Sequence, residues 1–367
     1  MCLFRIPPPP HSDFNKKEVF CYMPLFSKDP KNCLGIDIGA TSIKIVELSK
    51  KDGNISLTNY GIASIKDITG RSLSSDKGFS SSIGVVTDTV NKILDEARMK
   101  TKRTVFSIPD FNSFFTAFEV PKMKKSEVES AIQYQARQRI PLPLNEVTLD
   151  WNLTNLVKKG EEEMVEVLLL AVPNDTIKAY RAIAKKTGLE VGSLDAETFG
   201  LARVYGEKKK TVVVADIGHQ TTTVNIIEDE VPKHSHSLDL AGKDFTKDVA
   251  ILPEVNYNEE SEKKEQASEV SNKIKKSLSE EMIKKIQEVC DSYESGKDKN
   301  INKLIITGGG TNFDEIREMV LGDLNAKEGN SFKKIEYPSV LEPIINDLSP
   351  LFSVSIGMAL EGLKRKK

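Results

Sequence analysis

An α/β fold made of two like domains is what this sequence predicts. Three stretches carry the prediction: 34–44 (LGIDIGATSIK), 212–223 (VVVADIGHQTTT) and 304–311 (LIITGGGT). Each is an apolar run of strand length that breaks into glycine beside Asp or Thr. The first two share Asp-Ile-Gly, at Asp37 to Gly39 and at Asp216 to Gly218, which reads as an internal duplication. At 367 residues the chain also exceeds one comfortable core, so two domains are the natural partition.

The elements follow in order. Residues 1–30 read as a disordered N-terminal extension, with Met23 a more natural lead-in to the first strand than Met1. A first domain is expected at 31–110. Its opening strand turns at Gly39 and continues through Ile43, Ile45 and Leu48; Asp52-Gly53 then supplies a hairpin turn before 55–60 returns. A Ser/Gly-rich loop at 72–82 precedes Val85, Val86, Val90, Ile93, Leu94 and Ala97 at helical spacing, and a strand at 104–108 ends at Pro109-Asp110.

Residues 111–195 read as an inserted, βαβ-like, partner-binding subdomain. It opens with Phe111, Phe114, Phe115 and Phe118, a cluster more often core than groove, although a peptide-binding subdomain would also need exposed aromatics. A helix is expected over 126–139, with Ser126 as N-cap and Glu129 as its capping-box partner, stopped by Pro141 and Pro143. A strand at 165–172, a helix at 175–187 ended by Gly188 and a strand at 189–194 complete it.

A connecting helix at 196–210 leads to a second domain at 211–345, which restarts the strand–turn–strand pattern. It includes a charged helical insertion at about 251–300, whose apolar seam is Val270, Ile274, Leu278, Ile283 and Ile286. A strand at 303–307 and a helix at 312–321 follow. A last helix begins near Pro350 and, within 346–367, packs back on the first domain. Strands alternating with helices, twice over, define the α/β class.

Composition narrows the function. A formal net charge of −2 gives no general attraction to nucleic acid or anionic lipid. Cys2, Cys21, Cys33 and Cys290 have neither metal nor disulfide spacing and fit reduced thiols. No run approaches the roughly 20 apolar residues of a membrane span, and Pro7 to Pro10 interrupt any signal-peptide core. His234 and His236 lack accompanying ligands of zinc spacing, and the basic tail at 364–367 suits a helix C-terminus.

The glycine hairpins carry the chemistry. A turn at Gly39 and Ala40 exposes successive backbone N–H groups that can wrap phosphate oxygens. Thr41 and Ser42 add hydroxyl donors, and Lys44 is a point charge suited to phosphate. Asp37, on the strand before the turn, suits Mg²⁺ held through water, because that ion keeps most of its hydration. One such hairpin is equally well a plain glycine turn; the second copy, with Asp216, Gly218, Thr221 and Thr222, makes coincidence a poor account. Gly308, Gly309, Gly310 and Thr311 then form a side-chain-free turn against which a flat base can lie, or else a tight strand–helix turn.

This set resembles the phosphate-1, phosphate-2 and adenosine motifs of the actin, Hsp70 and sugar-kinase superfamily. Within it the chain most resembles the PilM family, actin-like cytoplasmic proteins of type IV pilus assembly related to the division protein FtsA. The resemblance runs from about residue 30 to the end and rests on 34–49, 187–203, 349–363 and above all 120–151 (VPKMKKSEVESAIQYQARQRIPLPLNEVTLDW). It implies an actin-like (ribonuclease H-like) fold, ATP and Mg²⁺ as cofactors, and roles for Asp37 and Asp216 at the metal. Gln220 stands where actin has a glycine. Gly242 and Lys243 fall where the family has a Gly-Gly helix start near the nucleotide, and Glu260 with Lys263 fit its Glu-x-x-Lys over the adenosine. Glu197, at the inter-domain connection, is either positioned to order an attacking water or a solvated helix residue.

The resemblance further implies an ATP-binding scaffold at the inner face of the cytoplasmic membrane, bound to other pilus assembly proteins without inserting itself. Its partner would be the N-terminal cytoplasmic peptide of a bitopic PilN-like protein, held by the inserted subdomain and coupled to ATP through domain closure. At most slow hydrolysis is expected, since no strong general base accompanies Asp216. The alternatives are an FtsA-like division protein, whose membrane-attaching helix does not follow Leu363 here, and a small-molecule kinase. The kinase would need Asp110 as base and a hydroxyl-binding cluster that 111–151 does not offer.

Overall fold

The computed structural model describes residues 31–65, 82–159, 162–245, 261–295, 300–312 and 320–364. The expected extension at 1–30, most of the loop at 72–82, Glu260 and residues 365–367 lie outside them. The chain divides into two compact units: Met1–Arg203 with Lys334–Pro338 and Val354–Lys367, and Val204–Lys333 with Ser339–Ser353.

In the first unit β1 (Asn32–Ile38), β2 (Ser42–Lys51) and β3 (Asn54–Ser64) form an antiparallel meander. Lys51 pairs with Asn54 across a two-residue loop, and Asp52 and Gly53 take φ of 52° and 92°. Two consecutive left-handed residues are what a type I′ hairpin demands, and Asp-Gly supplies them at low cost. Helix α1 (Ile83–Glu96) buries Val86, Val90, Ile93 and Leu94 on one face. It carries the chain to β4 (Arg103–Ile108), which lies parallel to β1.

The chain then leaves the sheet. β5 (Phe114–Pro121), α2 (Lys125–Arg139), β6 (Val147–Lys159) and β7 (Glu162–Pro173) form a three-stranded antiparallel layer, ordered β5-β7-β6, with one helix. Ile132, Ala136 and Ile140 pack onto Phe118, Val120, Val167, Leu169 and Ala171. This insertion is shorter than the expected 111–195 and is not βαβ. The following helix α3 (Asn174–Thr187) and β8 (Glu190–Ala196) return to the first sheet, where β8 runs parallel to β4. Gly188 ends α3 in the left-handed conformation, φ 65°, as a C-terminal glycine should. Helix α2 starts earlier than its sequence suggests. Lys124 is the N-cap, and Glu127 accepts its backbone N–H at 3.1 Å, so Ser126 lies inside the first turn. Lys124 offers no acceptor, which leaves only the reciprocal half of a capping box.

The first sheet is ordered β3-β2-β1-β4-β8. The second unit repeats that topology. After α4 (Glu197–Tyr205), β9 (Thr211–Ile217), β10 (Thr222–Glu228) and β11 (Val231–Leu238) make the meander, and β12 (Lys303–Thr307) and β13 (Lys327–Glu328) add in parallel, giving β11-β10-β9-β12-β13. Helix α5 (Ser261–Ser295) covers one face. Its Met282, Ile283, Ile286 and Tyr293 join Val213, Ala215, Val224, Ile226 and Ile306 in the core. Leu278 packs at the edge of that cluster; the other seam residues, Val270 and Ile274, have side chains outside the described set.

The last helix, α6 (Ile345–Gly362), begins a turn before the expected Pro350, which it carries inside. Its residues through Ser353 belong to the second unit and those from Val354 to the first. In the first unit it approaches β1 and α4 backbone to backbone. A Cβ on Gly35 would stand 1.8 Å from the Ser355 carbonyl oxygen, and one on Gly357 2.3 Å from that of Gly200. Arg203, at the end of α4 in this unit, pairs with the fully buried Asp195 of β8 and, at 2.8 Å, with Glu361 of α6. One guanidinium thus pairs with two buried carboxylates, and its removal would leave Asp195 uncompensated and Glu361 with Lys364 alone, at 2.9 Å.

Two expectations follow. Gly35→Ala is expected to destabilise the protein by roughly 2–3 kcal/mol, because backbone rather than a flexible side chain occupies the space; urea unfolding reads this out. Burial alone would raise the Glu361 carboxyl, but Arg203 and Lys364 outweigh it and hold the group at about 2, against an ordinary 4.5. Between those values the unfolded chain binds the proton and the folded one does not, so stability falls as pH falls from 4.5 to about 2. Glu361→Gln should flatten the stability profile across that window relative to wild type.

Candidate functional site

The first glycine hairpin joins β1 to β2. The Gly39 N–H donates to the Ser42 carbonyl at 3.0 Å and closes a tight turn around Ala40 and Thr41. Strand register places Asp37 opposite Lys44, and the Lys44 Nζ lies 3.1 Å from Asp37 Oδ2. On its other side Asp37 faces β4, whose Ser107 hydroxyl donates to Oδ1 at 3.0 Å. Asp37 is 4% exposed, so both carboxylate oxygens are compensated inside the protein.

The second hairpin repeats this residue for residue. The Gly218 N–H donates to the Thr221 carbonyl at 3.0 Å, and Asp216 stands opposite Thr223 on β10 and beside Thr307 on the parallel strand β12. Gly39 thus corresponds to Gly218, Ser42 to Thr221, Lys44 to Thr223 and Ser107 to Thr307. Thr222 is buried on the opposite face, where its neighbours Val224 and Ile226 enter the core. It does not share the Asp216 face, because side chains alternate along a strand.

Two further loops meet this hairpin within the second unit. The Gly242 N–H donates to the Gly218 carbonyl at 3.0 Å, and the Lys243 N–H to that of His219 at 2.8 Å. A Cβ on Gly308, which has φ 102°, would stand 2.3 Å from Asp216 Oδ1; one on Gly310 would stand 2.7 Å from the Ile217 side chain. The glycines at 308 and 310 are therefore required by the chain's own packing. At Gly309 an added Cβ meets only Leu351, at an ordinary 3.5 Å. Thr311 follows in the 3-10 turn Gly309–Asn312, its side chain outside the described set.

Glu197 heads α4 in the first unit and is half-buried, which corrects the solvated reading. Its carboxylate accepts the Asp110 N–H at 3.4 Å. In the same unit Tyr180 of α3 is fully buried, and burial, then the Glu197 and Asp37 charges, push its phenol well above its ordinary value. Sequence reading missed Ser107, Asp195, Arg203 and Tyr180. The only local signal was a polar residue inside an otherwise apolar strand, at Ser107 in RTVFSI.

Each unit by itself carries donors suited to an anion: in the first the tight turn at Gly39, the hydroxyls of Thr41 and Ser42 and the Lys44 ammonium, and in the second the tight turn at Gly218 and the helix start at Gly242. Asp37 in the first unit and Asp216 in the second each stand at a strand end beside such a turn, where a carboxylate has the chemistry to hold a cation through water. At Asp37 that cation would compete with Lys44.

Comparison with known proteins bears on this arrangement. A family model described as type IV pilus assembly protein PilM matches residues 35–363. A PilM–PilN type IV pilus biogenesis complex matches at a TM-score of 0.73 and 22% identity, over 90% of this chain and 98% of that one. The ethanolamine utilization protein EutJ from Carboxydothermus hydrogenoformans matches at a TM-score of 0.51 and 15% identity, over 90% of each chain. At these identities the likeness is one of fold, the actin-like duplication of an α/β domain.

The glycine geometry separates two neighbouring positions. Gly308→Ala combines a left-handed φ with a collision and should cost about 2 kcal/mol or more. Gly309→Ala should cost under about 1 kcal/mol. Thermal unfolding of the two variants against wild type checks the contrast.

Proposed function

The chain belongs to the PilM family of type IV pilus assembly proteins, and from that premise we propose that it is an actin-like scaffold whose partner binding is set by Mg·ATP. One observation carries the nucleotide part. The acidic glycine hairpin occurs twice, with the same turn closure and the same strand partners, once in each unit. A plain turn has no reason to preserve an acid, a glycine and a hydroxyl-bearing parallel neighbour together.

In this reading the turns at 39–42 and 218–221 wrap phosphate oxygens, with Lys44 as counter-charge. Asp37 and Asp216 orient the waters of Mg²⁺, and Gly242 and Lys243 present a helix start. Bound Mg²⁺ would neutralise phosphate charge. In the same reading Glu197 would order the attacking water without acting as a strong base, so turnover would be slow. The turn at 308–310 borders the base, through Gly309 more than its neighbours.

The partner is the N-terminal cytoplasmic peptide of a bitopic PilN-like protein, held by the inserted layer of β5, α2, β6 and β7. Membrane association runs through that partner, since no helix among the described residues is long and apolar enough to cross a bilayer. Nucleotide and peptide then bias one conformational equilibrium, and each tightens the other by the same factor.

Calorimetry tests this directly. Mg·ATP should bind, and a synthetic N-terminal peptide of the PilN-like protein should tighten it by about fivefold or more. Asp37→Ala and Asp216→Ala should each weaken Mg·ATP by about tenfold, or 1.4 kcal/mol. Nucleotide affinity indifferent to both substitutions would remove the reading.

A further inference from the structure

Strand register in the first unit lines up a row of polar side chains that the nucleotide reading leaves unexplained. Ser107 of β4 lies between Asp37 of β1 and Asp195 of β8, in direct register with Asp195. Neighbours in register on parallel strands present their side chains to one face, with strands about 4.8 Å apart. The Ser107 hydroxyl donates to Asp37 Oδ1 at 3.0 Å. Asp195 is fully buried; its Oδ2 is taken by Arg203, while Oδ1 has no hydrogen-bond partner among the described residues. A buried carboxylate oxygen without a donor is costly and needs a reason.

By strand register the same hydroxyl has a second acceptor as its neighbour, Asp195, to which it makes no bond in this structure. A serine carries a single O–H donor, and its χ1 hops between staggered wells. The two bonds are mutually exclusive, which makes Ser107 a two-position element. Whichever acid has other positive charge beside it releases the hydroxyl to the other.

We propose that Ser107 is a positioning residue that reports occupancy of the Asp37 site to the last helix, by moving its hydroxyl from Asp37 to Asp195 when a cation and nucleotide arrive. This rests on the reading of Asp37 as part of the nucleotide site. The added positive charge replaces the serine bond at Asp37. The freed hydroxyl then completes Asp195, whose hold on the shared Arg203 guanidinium weakens. Arg203 is already bound to α6 through Glu361 at 2.8 Å and the Gly357 carbonyl at 3.5 Å, so the change is delivered to residues 357–361. Arg203 is also the last residue of the first unit before the chain passes into the second.

Hydrogen exchange read by mass spectrometry tests this on the full chain, with Mg·ATP affinity measured by calorimetry on the same samples. In wild type, Mg·ATP should change exchange at 357–363 by about fivefold or more. Ser107→Ala should abolish that response while Mg·ATP affinity stays within about threefold, and Ser107→Thr, which keeps a hydroxyl, should restore it. A response retained in Ser107→Ala overturns the proposal. So does a wild type that binds Mg·ATP without any response at 357–363, a result that needs no variant to fold and leaves the nucleotide reading standing. Failure of wild type to bind Mg·ATP removes both.

Discussion

Parallel pairing is the constraint on which the rest of this molecule depends. Because β4 runs alongside β1 and β8 alongside β4, the carboxyl ends of three strands and the segments that follow them open on one edge of the first sheet. Asp37, Ser107, Asp195 and Glu197 are all end-of-strand residues, or one step beyond. The same geometry in the second sheet puts Asp216 and the turn at 218–221 beside Thr307 and Gly308. Open α/β sheets bind ligands at such edges because loops there present backbone donors while the strands behind them hold side chains rigidly. A polar residue at a strand end thus costs little if its neighbours in register are polar too, and both sheets satisfy that condition.

The two sheets satisfy it differently. In the first the row is charged: Lys44, Asp37, Ser107, Asp195, and then Arg203 and Glu361. In the second the neighbours of Asp216 are hydroxyls, Thr223 opposite it and Thr307 beside it. Thr307 bonds Tyr205 at 3.1 Å and Ser353 at 2.8 Å, and Tyr205 bonds Ser353 at 2.6 Å. Neutral hydroxyl chains are easily satisfied, since each member both donates and accepts. A charged row has discrete alternatives, because a carboxylate only accepts and a guanidinium only donates. The two copies share the backbone and the acid at the strand end, while the further buried carboxylates and the guanidinium belong to the first.

What the sequence made legible was local. Asp52-Gly53, Gly188 and the two Asp-Ile-Gly turns were readable because left-handed backbone and tight closure leave few residue choices. The repeat was readable for the same reason. The insertion's far boundary was not, because α3 and β8 look alike whether they close a subdomain or rejoin an earlier sheet; only their pairing with β4 decides. Pro350 misled the helix start, since proline prefers a first turn but is accommodated one turn later here. Ser107 is far in the chain from both Asp37 and Asp195, and a buried serine in a strand carries no mark of which carboxylate it serves.

The glycine triplet answers first to the packing of the chain itself. A side-chain-free turn suggests room for a flat base, yet Gly308 and Gly310 are filled against Asp216, Ile217 and the Gly218 carbonyl by the protein itself. Their first duty is to let three loops touch backbone to backbone. That contact fixes where Asp216 and the turn at 218–221 stand, so the glycines act on any bound phosphate indirectly, through the hairpin they support. Gly309, with only Leu351 near it, is the position left to answer to a ligand. Sequence identity at such a turn therefore mixes two pressures, and only the missing Cβ contacts separate the one imposed by folding from the one imposed by binding.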